Sequence, residues 1–294
     1  MKMLIGSGIV WLGGIVTAGA ALVYDGFNYT AGADLVGQSP NGGGTSWAAT
    51  GTSGAGGSDP IVIASGSLTV PGLAAPGGNS ITFGGLGLTD RLSIGTAISS
   101  GTIYYSFAFK VQDVTGLTAT GGFFAGFNNS VGTQTGQPTI IGARVLTRLS
   151  GSGYNIGISK NSSALADFSF DTTLRNVGDT IFVVGSYTFN TGTALDDLAQ
   201  LWINPNPSTF GSASAPLPDL SAPTGAASGN PDLGSIASFL FRQGNATAVP
   251  PIVIADELRV DTTWAGVTPV PEPSAAITAL LAGAGLLSRR RRQN

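Results

Sequence analysis

Short β-rich runs separated by turn residues follow one another along this chain and limit the folds open to it more than any other feature. In the run 102–111, Ile103, Tyr105 and Phe107 take alternating positions and so share one face of a strand. Similar runs lie at 61–64, 67–70, 80–83, 91–94, 122–127, 139–149, 154–160, 166–170, 180–189, 198–204, 236–242 and 252–260. About a dozen strands without helical crossovers predict an all-β fold of two packed antiparallel sheets.

The composition agrees with a strand-and-turn architecture in one domain. Hydrophobic residues make up 42% of the 294 residues, enough for a sizeable core, and 45 glycines suit tight turns. Two polar or proline-rich stretches, 37–57 and 205–231, are predicted to be surface loops, because neither separates two complete sets of strands. We therefore predict a single β-sandwich domain over residues 22–268.

The residue types that the chain lacks narrow its chemistry. It has no Cys and no His, which excludes the usual zinc sites, thiol nucleophiles and triads with an imidazole base. Between positions 21 and 273, 8 basic residues accompany all 16 acidic residues, a net charge of about −8. No nucleic-acid partner is expected, because affinity for nucleic acid comes mainly from Lys and Arg.

Residues 1–21 are typical of a secretory signal. Lys2 is a short basic region, a glycine-broken apolar stretch follows, and Ala18 and Ala20 form the small-x-small pattern that a signal peptidase accepts. A buried first helix and an uncleaved anchor are the alternatives, and the glycines disfavour a stable helix core. The sequence therefore predicts a signal helix removed near Ala20.

The C-terminal end, residues 269–294, carries the most specific pattern in the chain. Its parts are the motif Pro271, Glu272, Pro273 and Ser274, an apolar helix over about 275–288, and the basic cluster Arg289, Arg290, Arg291 and Arg292. A helix of roughly 20 Å is short for a bilayer core of ~30 Å, and basic clusters stay on the cytoplasmic side. A plain tail anchor and an interfacial amphipathic helix are the alternatives.

This arrangement resembles the PEP-CTERM sorting signal, in which Pro-Glu-Pro, a short transmembrane helix and a basic cluster follow one another. The match covers about 25 residues, with every part in order. The resemblance implies that an exosortase, a membrane processing enzyme, recognises the tail. It also implies an exported body at the cell surface or in the extracellular matrix, attached to the membrane by the C-terminal helix transiently or permanently.

Three shorter patterns add a second resemblance. Tyr24–Tyr29, Leu201–Pro205 and Asp256–Val260 are similar to segments of the concanavalin/laminin-G type jelly roll. That resemblance implies a two-sheet jelly-roll sandwich whose first and last strands lie side by side. Trp202, in the second pattern, is predicted to be a core or sheet-face residue rather than a platform for a sugar.

Glycoside hydrolysis is the enzyme class that such a fold makes worth testing, because it needs only two carboxylates. The chain has just two glutamates, Glu257 and Glu272, and the latter belongs to the tail motif. The pairs Asp196–Asp197 and Asp256–Glu257 consist of adjacent residues, which point to opposite faces of a strand. The sequence therefore predicts that this chain is not an enzyme.

Calcium is the cofactor best suited to the residues present, although the sequence requires none. Hard cations bind carboxylate and carbonyl oxygens, and aspartates recur in the polar loops. The candidate ligands are Asp196, Asp197, Asp256 and Asp261. No EF-hand spacing is present, and solvated turn aspartates are the alternative explanation.

These observations predict an exported, non-catalytic surface or matrix protein. The alternative is a lectin-like module that binds extracellular polysaccharide through exposed aromatics, with Trp47 and Trp264 as candidates, and with calcium as an aid. An unusual glycoside hydrolase is a third hypothesis.

Overall fold

The computed structural model describes residues 21–51, 59–222, 231–244 and 247–271. There the chain forms two antiparallel β-sheets, which confirms the all-β prediction. Helical structure in these ranges comprises two 3₁₀ turns, Leu165–Asp167 and Pro207–Thr209, and the one-turn helix α1, Trp264–Val267. None of the helices described is long and apolar enough to cross a membrane. The predicted C-terminal helix, and the signal except for residue 21, lie outside the described residues.

Sheet A has nine strands, and the strands of both sheets are numbered here in chain order. Its main path runs β14-β13-β12-β7-β16-β1-β2, and β5 pairs with both β16 and β4. The bounds are β1 Val23–Asp25, β2 Gly42–Gly43, β4 Val62–Ala64, β5 Ser80–Phe83, β7 Gly101–Asp113, β12 Thr180–Phe189, β13 Leu198–Ile203, β14 Leu220–Ser221 and β16 Ile252–Asp261.

Sheet B has seven strands in the order β11-β10-β9-β8-β15-β6-β3. The bounds are β3 Ala48–Thr50, β6 Thr89–Ile98, β8 Gly122–Asn128, β9 Ile141–Ser150, β10 Gly153–Ser159, β11 Ser169–Phe170 and β15 Ile236–Arg242.

Aromatic rings fill the space between the sheets. Phe107 of sheet A packs against Phe124, Phe239 and Phe241 of sheet B, with ring centres 5.3–6.1 Å apart. Tyr105 crosses the core, and its hydroxyl donates to the carbonyl of Ala143 at 2.7 Å. Such pairs add about 0.5–1.5 kcal/mol each beyond the burial of their area.

The first and last strands lie side by side, as the jelly-roll resemblance implies. β1 pairs with β16 in the register Val23↔Val260, Tyr24↔Arg259 and Asp25↔Leu258. The register of β16 against β7 shifts between Asp256 and Arg259, where Glu257 has a φ of 56°. The bulge bends β16, so that one half of its edge pairs with β1 and the other with β5.

The segments that follow β13 and β16 cover the outer face of sheet A. A second hydrophobic cluster lies there, made of Phe182, Val184, Trp202, Phe210, Trp264 and Val267. Trp202 and Trp264 meet edge to face at 5.2 Å, and the indole of Trp264 donates to the carbonyl of Thr209 at 2.8 Å. The prediction for Trp202 is confirmed. The outer face of sheet B is also largely buried, and Phe123, Arg148, Phe170 and Arg242 are its partly exposed residues.

Three local predictions are wrong. Residues 166–170 do not form one strand, because the 3₁₀ turn Leu165–Asp167 precedes the two-residue β11. Residues 67–70 form no strand, because the amide of Leu68 donates to the Asp256 carboxylate at 2.7 Å instead of to a neighbouring strand. The stretch 37–57 is only partly a surface loop: it contributes β2 and β3, and Trp47 lies in the core at 2% exposure. Residues 52–57 of this stretch lie outside the described residues.

Candidate functional site

The outer face of sheet B is built by alternate residues of its strands. One row crosses four strands by the pairings Phe123↔Leu146, Leu146↔Gly157 and Gly157↔Phe170. Strands lie about 4.8 Å apart, so the two phenylalanines at the ends of the row are separated by roughly 14 Å. Both rings are partly exposed.

Four arginines share this face, half of the basic residues between positions 21 and 273. They are Arg91 of β6, Arg144 and Arg148 of β9, and Arg242 of β15. In the described part of the chain none has a carboxylate oxygen within 4.0 Å, because the ion pairs found there all involve other residues. An acidic body therefore concentrates uncompensated positive charge on one sheet face.

Arg91 and Arg144 hold the loops at the rim of this face. The guanidinium of Arg91 donates to the carbonyls of Val131 and Gly132, each at 2.7 Å. That of Arg144 donates to the carbonyls of Ile141, Asn161 and Ser162 at 2.8–3.1 Å. Both side chains are buried, and they order the loops 129–140 and 160–164.

Arg148 and Arg242 are the more accessible pair, and each lies over an aromatic ring. The guanidinium carbon of Arg242 is 4.3 Å from the centre of the Phe123 ring, and that of Arg148 is 4.4 Å from the Phe170 ring. Arg144 contacts the Phe123 ring as well, at 4.6 Å. Such contacts hold a guanidinium in place. Arg242 also donates to the carbonyl of Phe123 and Arg148 to the side-chain oxygen of Asn155, each at 3.3 Å, and their other N–H groups can donate to a ligand.

Burial and mutual repulsion make this face receptive to anions. Desolvation, and then the nearby charge of Arg242, lower the pKa of Arg144 to about 10. Desolvation also lowers the pKa of Arg91 and of Arg242. All three remain protonated at neutral pH, and a bound carboxylate would relieve the repulsion between Arg144 and Arg242.

The sequence analysis missed this face, although a signal was present. Arg144, Leu146 and Arg148 take alternate positions in the predicted strand 139–149 and must share one face. The prediction that Trp47 and Trp264 are exposed, sugar-binding aromatics is wrong. Trp47 and Trp264 are 2% and 1% exposed, so neither can act as a platform for a sugar.

Two of the four predicted calcium ligands come together, with a third carboxylate that the sequence did not suggest. Carboxylate oxygens of Asp196, Asp197 and Asp232 lie within 4.8 Å of one another and could hold a metal ion. The buried ammonium of Lys160 donates to Asp232 at 2.5 Å and already places a positive charge there. Burial raises the pKa of Asp197, which accepts hydrogen bonds from the Tyr187 hydroxyl and the Asn190 amide.

The other two predicted ligands lie in separate surroundings. Asp256 accepts from the amides of Leu68 and Glu257, and burial raises its pKa to about 8. Asp261 accepts from the amide and hydroxyl of Thr263 at 2.8 and 2.7 Å, at the start of α1. The four aspartates therefore do not form one site.

Most of the predicted sorting residues lie outside the described residues. These are Ala18 and Ala20 of the signal, Glu272, Pro273 and Ser274 of the motif, and Arg289, Arg290, Arg291 and Arg292. Pro271 is the last residue described, and it is exposed.

No family model and no curated protein matches this chain. Among solved structures, an alginate lyase mutant in complex with alginate trisaccharide is 14% identical, with a TM-score of 0.43 over 83% of this chain and 99% of that one. The globular domain of T. cruzi calreticulin is 10% identical, with a TM-score of 0.44 over 83% and 88%. An endo-β-1,4-glucuronan lyase from the fungus Trichoderma reesei is 12% identical, with a TM-score of 0.39 over 76% and 98%.

The prediction that this chain is not an enzyme is contradicted by this comparison. Two of the three structures, the alginate lyase and the glucuronan lyase, are enzymes that act on carbohydrates. The prediction is therefore withdrawn.

Proposed function

We propose that this protein is an exported, concanavalin-like jelly roll that recognises an acidic polysaccharide on the outer face of sheet B. The observation that carries the proposal is the group of four arginines without carboxylate partners, two of them lying over partly exposed phenylalanine rings. The other sheet is unsuited to this role because Trp202, Trp264 and their neighbours cover its outer face.

A polymer that carries carboxylates fits this face better than a neutral one. Guanidinium groups bind carboxylates through two parallel hydrogen bonds, and the Phe123 and Phe170 rings hold three of these groups in place. Arg148 and Arg242 stand on strands separated by β8, and the row between Phe123 and Phe170 spans roughly 14 Å. An extended chain of acidic sugars could therefore contact both arginines at once.

Calorimetric titration with alginate, a linear polyuronate, tests this proposal. Arg148→Ala and Arg242→Ala should each weaken binding by about ten-fold, the value of one charge-assisted hydrogen bond. Lys110→Ala is the matched control, because Lys110 lies on the opposite sheet and its removal changes the net charge equally. Equal affinities for all three variants would reject the site. Release of new polymer ends in the same mixtures would show turnover.

We also propose that the tail directs sorting by an exosortase after a signal peptidase removes the leader. The support is the order of motif, apolar segment and arginine cluster in the sequence. Intact mass of the protein from membrane and extracellular fractions of its host is the test. Loss of about 20 N-terminal residues and of the segment beyond Pro273 would support the proposal. A membrane product that keeps all four arginines would overturn it.

A further inference from the structure

A cleft of about 450 Å³ opens at the edge of the sandwich, beside the arginine-bearing face. It lies where β11, the edge strand of sheet B, meets β14, the edge strand of sheet A. Its lining includes Phe170, Asp171, Thr172, Arg175 and Asp219.

Phe170 lies both on the outer face of sheet B and in the wall of the cleft. Its ring carries the guanidinium of Arg148 on the outer face of sheet B, and the same residue lines the cleft. A polymer that crosses the row from Phe123 to Phe170 would therefore reach the cleft with its next sugar.

The polar groups of the cleft suit hydroxyls rather than carboxylates. Arg175 is paired with Asp171, so its charge is already neutralised. Asp219 is exposed, and one of its carboxylate oxygens accepts from the Ile203 amide at 2.7 Å. Its second carboxylate oxygen is free to accept a hydrogen bond from a ligand. Two carboxylates against one guanidinium give this cleft a negative charge, the reverse of the neighbouring face.

We propose that the cleft is a subsite for a neutral sugar, and that the polysaccharide recognised carries neutral sugars next to acidic ones. The inference rests on the proposed function of the sheet B face. Sugar hydroxyls would donate to Asp219 and accept from Thr172 and Arg175, while Phe170 supplies the apolar wall. An acidic sugar at this position would meet the Asp219 carboxylate and be repelled.

Binding of two polymers, hyaluronan and alginate, tests the cleft subsite separately from the arginine-bearing face. Hyaluronan alternates an acidic with a neutral sugar, whereas every sugar of alginate is acidic. Wild-type protein should bind hyaluronan oligosaccharides about ten-fold more tightly than alginate oligosaccharides of matched length. Asp219→Ala should remove most of that preference, because hyaluronan loses an acceptor for its hydroxyls and alginate is no longer repelled at the cleft. Asp179→Ala is the control, since Asp179 is also exposed and also accepts from one backbone amide.

The outcomes are distinguishable. Equal binding of both polymers, or an Asp219→Ala variant that matches Asp179→Ala, would overturn the subsite and leave the arginine face intact. Weaker binding of both polymers by Arg148→Ala, together with loss of the hyaluronan preference in Asp219→Ala, would support both proposals. Absence of binding to either polymer by the wild-type protein would reject both.

Discussion

Arg148 reaches the ring of Phe170, two strands away, across a position where β10 has no side chain. Gly157 lies between them, paired with Leu146 on one side and with Phe170 on the other. A Cβ at Gly157 would lie 2.5 Å from the Phe170 ring, so the glycine leaves the space in which the ring meets Arg148. The contact between these two residues therefore depends on a third that has no side chain.

Gly157→Ala is expected to displace the Phe170 ring and to weaken alginate binding by about as much as Arg148→Ala. The added methyl group also meets the carbonyl of Ser169 at 2.7 Å, so a loss of about 1–3 kcal/mol in unfolding free energy is expected. Gly136→Ala is the control, because nothing lies within 4 Å of its added Cβ. Titration and urea unfolding of both variants check this prediction, and unchanged alginate affinity in Gly157→Ala would contradict it.

The buried carboxyl group of Asp90 predicts a stability that falls as pH rises. Neither of its oxygens has a hydrogen-bond partner in the described part of the chain. Burial, and then the charge of Asp34, raise its pKa to about 7. Because the folded-state pKa exceeds the unfolded value, stability is greatest below pH ~4 and is lost up to pH ~7. The upper limit of this loss is about 4 kcal/mol.

Asp90→Asn should remove that part of the pH dependence. Asp25 and Asp256 also have raised pKa values and remain in both proteins, so only the difference between the two curves belongs to Asp90. Urea unfolding at several pH values between 4 and 8 measures it. Parallel curves for the wild type and the variant would show that Asp90 ionises normally.

Asp25 fastens the first strand into the sandwich. Its buried carboxylate accepts from the Phe27 amide at 2.9 Å, the Tyr29 hydroxyl at 2.8 Å and the Trp47 indole at 2.8 Å. Asp25→Ala would leave these donors without an acceptor, at a cost of about 3–5 kcal/mol in unfolding free energy. Asp25→Asn keeps one acceptor oxygen and should cost less. If Asp25→Ala unfolds at the same urea concentration as Asp179→Ala, the fastening role is refuted.

Lys160 is expected to act as the resident cation of the three-aspartate cluster. Lys160→Met should lower the unfolding free energy by about 3–5 kcal/mol, because it leaves the Asp232 carboxylate without its partner. Added calcium should raise the Tm of this variant and change the wild-type Tm much less, since the ammonium occupies the same place. A wild-type Tm that rises with calcium and falls with a chelator would instead identify a native metal site.

Much of the fold was predictable because strand alternation is local. The run containing Ile103, Tyr105 and Phe107 became β7, with all three side chains in the core. Residues 67–70 could not be excluded as a strand, because the acceptor that takes the Leu68 amide, Asp256, is distant in sequence. Trp47 was misplaced for the same reason: its partner Asp25 is brought to it by tertiary packing.

The candidate site was less predictable than the fold. Proximity along the chain suggested that Asp196 and Asp197 act together, but gave no reason to include Asp232. In the structure the two carboxylate oxygens of Asp232 accept from the backbone amides of Asp196 and Asp197. Arginines on separate strands gave no sign of sharing a face until the strand order of sheet B was known.

The sequence alone determined the all-β class, the acidic body without Cys or His chemistry, and the patterns at its two ends, because these depend on composition and on neighbours along the chain. Tertiary structure decided which charges meet and which aromatics are buried. Those properties depend on strand order and register, which bring together residues such as Arg148 and Phe170 that no local pattern connects.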